Sequence, residues 1–559
     1  MFIREVTAKS SAGRRMTYVQ LVHNERDPKT GYSRAKVLYG FGRKDALDMK
    51  ALKRLVHSIS RFLGPEDALQ AQAMAKQGKG ALKFMWSREF GGGYALQKVW
   101  EELEIGEEIQ KLLKARGKEK GEIERSIFAM VANRALAPMS KLSIERWSAE
   151  AVRLPGKEGV SASGLYRGMD FLKRSQKELE ERVFFRVASL MNLEVDVLFF
   201  DTSSTYFEIE EEDDEGEGIR HYGYSRDQRG DLPQVLIGMA VTREGMPVKT
   251  WVWPGEASDR DVVTEVKRDL TAWRLGRVLW AMDRGMVSED NAIRLQEAGH
   301  HFILGERLGT KTAQEALERG GKYERIADGL LAKEAVVGRG EKRKRYVVVY
   351  SRERQERDRH VRENILNRVR AELKRIGDLK GKTHTKAACA LVGHRILGRY
   401  VKTLKRGQLR LDRKRIGESA KRDGKYVLWT SDDTLSIRDV VMGYKKLSEV
   451  ERAWRDLKHR IDLRPVYHRK EERIRAHVLL CWLALLLIRT MEIRTGRTWF
   501  RILPLLRAIH VGRFEGKAGV TMQTTELSSE QARLFRELKI PTPPHYLEIT
   551  RASNRTSKE

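Results

Sequence analysis

The chain has 559 residues, long enough for two to four domains with ample cores, and its 41% hydrophobic content is that of a folded protein. Its 108 Lys and Arg against 78 Asp and Glu leave a formal charge of +30. Such an excess points to a polyanion partner, nucleic acid above all, through counterion release. Cys389 and Cys481 are too few for a zinc site; both lie in apolar stretches and are expected as buried free thiols of a reducing compartment. The amino terminus, MFIREVTAKSSAGRR, has no apolar signal region, so a cytoplasmic protein is expected.

In chain order, MTYVQLVHN and RAKVLYGFG alternate as strands around the turn DPKTGYS, a helix follows in ALDMKALKRLVHSISRFL, and a polar linker runs to about residue 80. Residues 1–80 therefore read as a β-hairpin and helix region. Residues 81–192 carry apolar positions three and four apart and read as a helical DNA-binding module, with no recognition helix singled out. The character changes at 195. VDVLFF, QVLIGMAV and VKTWVW read as three strands, followed by helix DVVTEVKRDLTAWRL, strand RVLWAM, helix SEDNAIRLQEAG and strand HFILGERL. That order implies a mixed α/β sheet over 193–309. An insertion subdomain is expected over 310–430, with strands AKEAVV, RYVVVYS and KYVLWTS, one long charged helix and a Lys/Arg-dense stretch from 399 to 425. Residues 431–495 read as the last core helices. Residues 496–559 read as a helical carboxyl-terminal region with a disordered tail. AHVLLCWLALLLI, residues 476–488, falls short of the roughly 20 apolar residues that span a bilayer and reads as a buried core helix, with no membrane partner.

Two apolar strands run into a carboxylate. VDVLFF is followed by Asp201 and the hydroxyl residues TSST; VLWAM is followed by Asp283, Arg284 and Gly285. Asp, Thr and Ser end strands at ordinary turns, but two strands of one sheet ending on Asp place both carboxylates on one rim, where α/β sheets carry their sites. A third element is YKKLSEVERAWRDLKHRIDLRPVYH, residues 444–468. At about 100° per residue, one helix there puts Tyr444, Glu451, Arg455 and Lys458 on one arc and Leu447, Val450, Trp454, Leu457 and Ile461 on the next. Two Asp and a Glu supply the oxygen ligands of two Mg²⁺ ions, which clamp the oxygens of an in-line phosphoryl transfer; Lys458 and Arg455 answer the phosphate charge. No G-x-x-x-x-G-K-[ST] loop occurs, which argues against an ATPase.

These residues resemble the DDE transposases of bacterial insertion sequences, which have an RNase H-like catalytic core. The resemblance is closest to the branch whose last catalytic helix carries Tyr-x2-Arg-x3-Glu-x6-Lys. Here that frame reads Tyr444, Leu447, Glu451 and Lys458, with Leu447 in place of Arg, and Arg455 or Lys446 as possible substitutes. FFDTSSTYFE and MDRGMVSEDN look like the family's two Asp motifs. HYGYSRDQRGDLPQVLIGMAV and IRAHVLLCWLALLLI fit as well, and the likeness covers roughly 81–490. It implies an RNase H-like core split by the insertion and a metal site of Asp201, Asp283 and Glu451 holding two Mg²⁺ (Mn²⁺ able to substitute). It also implies phosphate contacts from Tyr444 and Lys458, and cleavage and strand transfer of DNA by a homodimer on the element's terminal inverted repeats and target DNA. Relatives with the full signature form a hairpin on the transposon end, a step that Leu447 leaves open. The alternatives are a Mg²⁺-dependent structure-specific nuclease on the same fold and a non-catalytic DNA-binding regulator.

Around this set, Tyr222, Arg226, Arg229 and Gln234 sit where a hairpin returns to the sheet; a DNA contact and a solvent loop are both open readings. The acidic run 208–217 reads as a solvated loop, Asp196 as a sheet-face or sheet-edge residue, Trp251, Trp253 and Trp454 as core, and His477 as a satisfied core histidine.

Overall fold

The computed structural model describes residues 2–9, 15–26, 33–60, 83–117, 121–156, 159–191, 193, 197–209, 211–214, 218–225, 227–273, 279–282, 301–340, 343–446, 448–464, 466, 468–516 and 519–551. They fall into two compact units, one of residues 1–86, 513–522 and 548–559 and one of 87–512 and 523–547. The first unit holds β1 (Phe2–Lys9), β2 (Arg15–Arg26) and β3 (Ser33–Arg43), an antiparallel sheet in chain order, followed by α1 (Met49–Ser60). The linker expected before residue 80 lies outside the described residues. Within 81–192, read as helical, the chain first forms a strand, β4 (Lys83–Glu89).

Helices then dominate: α2 (Gly91–Glu102), α3 (Ile105–Ala115), α4 (Gly121–Leu136), α5 (Lys141–Arg146) and the 30-residue α6 (Ala162–Met191). The large sheet begins with β5 (Val197–Tyr206), β6 (Gln234–Thr242) and β7 (Pro247–Pro254). It continues after α7 (Asp259–Ala272) with β8 (Leu279–Met282) and β9 (His301–Glu306). After α8 (Lys311–Glu318) come β10 (Glu324–Ala327), β11 (Leu330–Val337) and β12 (Lys344–Ser351). A helical excursion follows, with α9 (Arg352–Gly377), α10 (Gly381–Gly393), the short pair β13 (Val401–Thr403) and β14 (Leu409–Leu411), and α11 (Arg413–Ala420), before β15 (Lys425–Thr430) returns to the sheet. The order of the nine strands is β10-β11-β12-β15-β9-β8-β5-β6-β7. β5, β6 and β7 form an antiparallel meander, while β8 runs parallel to β5 and β9 parallel to β8. The strands of the expected insertion thus extend the same sheet. α8 packs on these strands through Ala313 and Ala316, whereas α9, α10 and the β13-β14 pair stand apart on a small core of Val369, Ile376, Leu391, Leu397 and Val401.

The chain closes with α12 (Ile437–Lys445), α13 (Ser448–His459), α14 (Glu471–Thr495), α15 (Trp499–Arg507), β16 (His510–Gly516), β17 (Gly519–Thr524), α16 (Ser529–Leu538) and β18 (Tyr546–Arg551). Residues 496–559, expected helical, therefore carry three strands among two helices, and these pair in the order β18-β17-β16-β4. The expected tail lies outside the described residues. α14 contains the apolar run 476–488. It is long and apolar enough to cross a membrane by composition, but 94% of its apolar window is buried inside the protein, where it packs against α4 and α6. Gly496, at φ +64, ends it in the left-handed conformation that a glycine adopts without Cβ strain, and its N–H bonds the Glu492 carbonyl at 2.9 Å.

Period-two alternation fixes what each face of the sheet meets. Leu198, Phe200, Ala240, Trp280, Phe302 and Leu304 share one core with Val262, Val266 and Leu270 of α7. Gly238 on that face leaves room for Trp253, whose ring atoms stand 2.5 Å from where its Cβ would be. Phe199, Asp201 and Ser203 consequently lie on the opposite face. α13 packs against β5 and β6, and Gly443 of α12 approaches Ile303, which alternation with Phe302 and Leu304 puts on that opposite face.

Candidate active site

Asp201 sits in mid-strand. The expectation that the strand stops on it is corrected: β5 runs on through Thr202, Ser203, Ser204 and Thr205 to Tyr206, all paired with β6, with Asp201 opposite Met239. The four hydroxyl residues are buried. They read as a turn because their side chains bond backbone locally, but here the ladder with β6 supplies the backbone partners and the layers on both faces exclude water. Asp201 is half-buried, and its Oδ1 accepts the Thr202 N–H at 2.8 Å. β8 pairs in parallel with β5 through Val197–Leu279, Leu198–Trp280 and Phe199–Ala281 and ends at Met282. Asp283 lies outside the described residues, as do Asp196 and Arg226.

The single helix expected from Tyr444 to Lys458 is two helices. α12 ends at Lys445 and α13 starts at Ser448, with the Glu449 N–H on the Lys446 carbonyl at 2.8 Å and the Ser448 hydroxyl on the Lys445 carbonyl at 3.1 Å. Each half has its own apolar target: α12 buries Val440 and Val441 over β9, β12 and β15, whereas α13 buries Val450, Ala453, Trp454 and Leu457 over β5 and β6. A twisted sheet presents these strands at different angles, so one straight helix cannot serve both. Tyr444 and Glu451 therefore stand on different helices, and the Tyr444 ring lies 6.1 Å from that of Tyr426 on β15. Leu447 lies outside the described residues. Within α13 the expected partition appears: Glu451 and Arg455 are exposed and Lys458 is on the same side, one to two turns along. Glu449 and Glu451 in its first turn and Lys458 and His459 in its last complement the helix dipole.

Lys458 is engaged. Its ammonium lies 3.1 and 3.2 Å from the two carboxylate oxygens of Asp227, and Arg464 reaches the same carboxylate at 2.5 Å. Tyr206 at the end of β5 lies beneath two guanidinium groups, Arg229 at 5.2 Å and Arg464 at 5.9 Å, and Arg229 also pairs with Asp231 at 2.9 Å. Asp227, Arg464 and Tyr206 were not singled out in the sequence; Asp227 is 231 residues from Lys458 and no local spacing links them. Of the loop residues that were, Tyr222 is exposed, while Gln234 is 1% exposed within β6, where its backbone bridges His221. The acidic run is not simply solvated. Asp213 accepts the N–H groups of Ile219 (3.0 Å) and Arg220 (2.9 Å) and the Arg220 guanidinium; burial would raise its pKa, but these bonds hold it below the usual carboxylate range.

A buried ion network anchors α13 to α14. Asp456 pairs with Arg489 at 2.9 Å and with Arg460 at 3.1 Å, and Glu492 receives Arg489 and, at 2.8 Å, Arg452. Asp456 is 2% exposed, and burial pushes its carboxyl above the ordinary range against the pull of Arg489 and Arg460. Trp251, Trp253, Trp454 and His477 are buried as expected, and Cys481 is a buried free thiol. Cys389, expected buried, is exposed, because α10 turns Leu391 to its small core and Cys389 away from it. Among the described residues no three His, Cys, Asp or Glu side chains converge as a metal site.

Residues 3–72 match the family described as IS1634 family transposase, N-terminal domain, and residues 204–487 match the transposase DDE domain. The second stretch contains Asp283, Tyr444, Glu451 and Lys458 and begins just after Asp201. No curated protein matches the chain. Among solved structures, the piggyBac transposase synaptic complex with hairpin DNA is similar over 74% of this chain and 79% of that one, at 11% identity and a TM-score of 0.35. Since the DDE domain alone spans half of its 559 residues, the chain belongs to the DDE transposases of insertion sequences, enzymes that cleave and move DNA.

Proposed function

We propose that this transposase cuts and joins DNA by two-metal phosphoryl transfer at Asp201, Asp283 and Glu451 on an RNase H-like core. The observation that carries the reading is the packing of α13, with Glu451, Arg455 and Lys458 on its outer side, against β6 and against β5, the strand that bears Asp201. The core assignment is supported by the meander β5-β6-β7 with β8 and β9 added in parallel beside β5. Asp283 stands two residues beyond Ala281 just as Asp201 stands two beyond Phe199, its partner in the ladder, which supports pairing the two carboxylates.

DDE transposases generally use divalent metal ions. Asp201 and Glu451 offer carboxylate oxygens, the donor type hard cations take, and with Asp283 they would hold Mg²⁺, or Mn²⁺ in its place. When bound, such ions polarise the phosphoryl group and lower the pKa of water. Lys458, Arg455 and Tyr444 orient the phosphate, and Arg229 and Arg464 extend the basic surface past Tyr206. Water attacks phosphorus at the element's end, the bond to the 3′ oxygen breaks, and that oxygen leaves with a proton. The resulting 3′-hydroxyl loses its proton as it attacks a target phosphodiester and expels another 3′ oxygen. Two ends must be cut, so a homodimer on terminal inverted repeats fits the reaction, with the helical module of residues 81–192 as the DNA-binding part.

The test is incubation of full-length protein with labelled terminal-repeat duplex, Mg²⁺ and a target plasmid. Cleaved ends and strand-transfer products are expected from wild type. Asp201→Asn and Glu451→Gln should each lose both while still binding the duplex. Cleavage without joined products would favour the nuclease, and full activity in Asp201→Asn would remove Asp201 from the site.

A further inference from the structure

The ends of α4 and α5, α6, the segment after α13, and α14 enclose a cavity of about 430 Å³. Its lining includes Arg134, Lys141, Tyr166, Asp462, His468 and His477. Arg134 is 4% exposed and Lys141 5%, so two cations are held almost entirely out of water. The Lys141 ammonium lies 3.3 Å from His477 Nδ1. The other ring nitrogen of His477 lies 3.1 Å from the Leu463 carbonyl; it therefore carries the proton and donates there, leaving Nδ1 to accept from Lys141. Arg134 donates to the carbonyls of Met139, Asp462 (3.1 Å) and Ile461 (3.4 Å), and its Nε–H has no acceptor among the described residues. None of these partners is charged. The one carboxylate in the lining, Asp462, acts on Arg134 but is on an exposed residue, and burial outweighs its pull.

Burying cations without a buried counter-charge is costly, and the usual remedy is a paired anion. The cost registers on three titratable neighbours: burial, then the nearby Arg134, pushes Lys141 down to about 7; burial, then Lys141, pushes His468 down to about 4; and burial, then Lys141, pushes His477 well below the usual imidazole range. The volume lies in the range of small-molecule sites. The cavity is also tied to the candidate active site along the chain. Arg134 grips the carbonyls of residues 461 and 462, just past Lys458, and Arg464 two residues on is the partner of Asp227.

We infer that this cavity binds a phosphate group, which accepts hydrogen bonds from Lys141 and His468 and supplies the missing negative charge beside Arg134. The phosphate comes either from the backbone of bound DNA or from free phosphate in solution. The first source rests on the transposase reading; the second does not.

Two titrations of the full chain test this. Inorganic phosphate is titrated calorimetrically, and a labelled duplex is titrated by anisotropy over a salt series. In Lys141→Gln, binding in at least one arm should weaken about tenfold, and Lys141→Arg should restore it. A response in the duplex arm should come with a salt slope smaller by about one, as for one lost phosphate contact. A response to phosphate alone identifies the free anion, and a response to duplex alone identifies backbone phosphate. Lys141→Gln indistinguishable from wild type in both arms overturns the inference. If that variant does not fold, His468→Gln takes its place with the same two outcomes. Because cleavage is not read, a failed phosphate site is distinguishable from a failed transposase mechanism.

Discussion

Replacing Glu180 with Gln should remove a pH dependence from the stability of this protein. Glu180 lies on α6 and is fully buried against β7. Its Oε1 accepts the Thr250 hydroxyl at 2.9 Å and the Thr250 N–H at 3.4 Å, with Gln176 at 3.5 Å. Lys249, the cation that acts on it, is already paired with Asp269 at 3.0 Å. Burial therefore wins, and the carboxyl is pushed from 4.5 up to about 7, with Lys249 the main opposing charge. A folded-state pKa above the unfolded one means that the folded chain holds the proton more tightly. The stability this confers is complete below pH 4.5 and is lost as pH rises through about 7. At about 1.4 kcal/mol per pH unit, the loss across that window is about 3 kcal/mol. Urea unfolding of wild type and Glu180→Gln at matched pH values from 4.5 to 8 measures it directly. Wild type should lose ground to the variant steadily and then level off above pH 7. Parallel curves for the two proteins, or wild type gaining on the variant with pH, would refute the assignment of a protonated buried Glu180.

Three further outcomes follow from particular contacts. Asp227→Asn removes the carboxylate that holds Lys458 and Arg464, so duplex affinity should rise several-fold at low salt and its salt slope should steepen by up to about two; unchanged anisotropy curves would mean that these cations do not face DNA. Asp456→Ala leaves Arg489 buried at 2% exposure with one carboxylate fewer, and denaturation should show a loss of about 3–5 kcal/mol. Gly238→Ala drives a methyl group into the Trp253 ring and should cost about 1–3 kcal/mol, seen as a lower melting temperature with a perturbed tryptophan emission.

Much of the architecture was legible in the sequence because it rests on local periodicity. The apolar runs that became β6, β7, β12 and β15 and the apolar run inside α14 each declare their own burial. So does the division of α13 into a buried side of Val450, Trp454 and Leu457 and an exposed side of Glu451 and Arg455. The carboxylates that break apolar runs were visible for the same reason: a charge costs most where its neighbours are greasy. What failed were the boundaries. Thr202 to Thr205 have turn chemistry, and only the β6 ladder keeps them in the strand. Residues 444 to 458 fit one helical period, and only the separate targets of α12 and α13 on a twisted sheet divide them.

By itself, then, the sequence determined the alternation of strands and helices, the large positive charge and the candidate chemistry, since each depends on residue type and near spacing. Tertiary structure alone decided which distant polar groups meet. Asp227 finds Lys458 across 231 residues and Lys141 finds His477 across 336. Pairings of that kind depend on where the chain returns in space, and no short-range pattern encodes them.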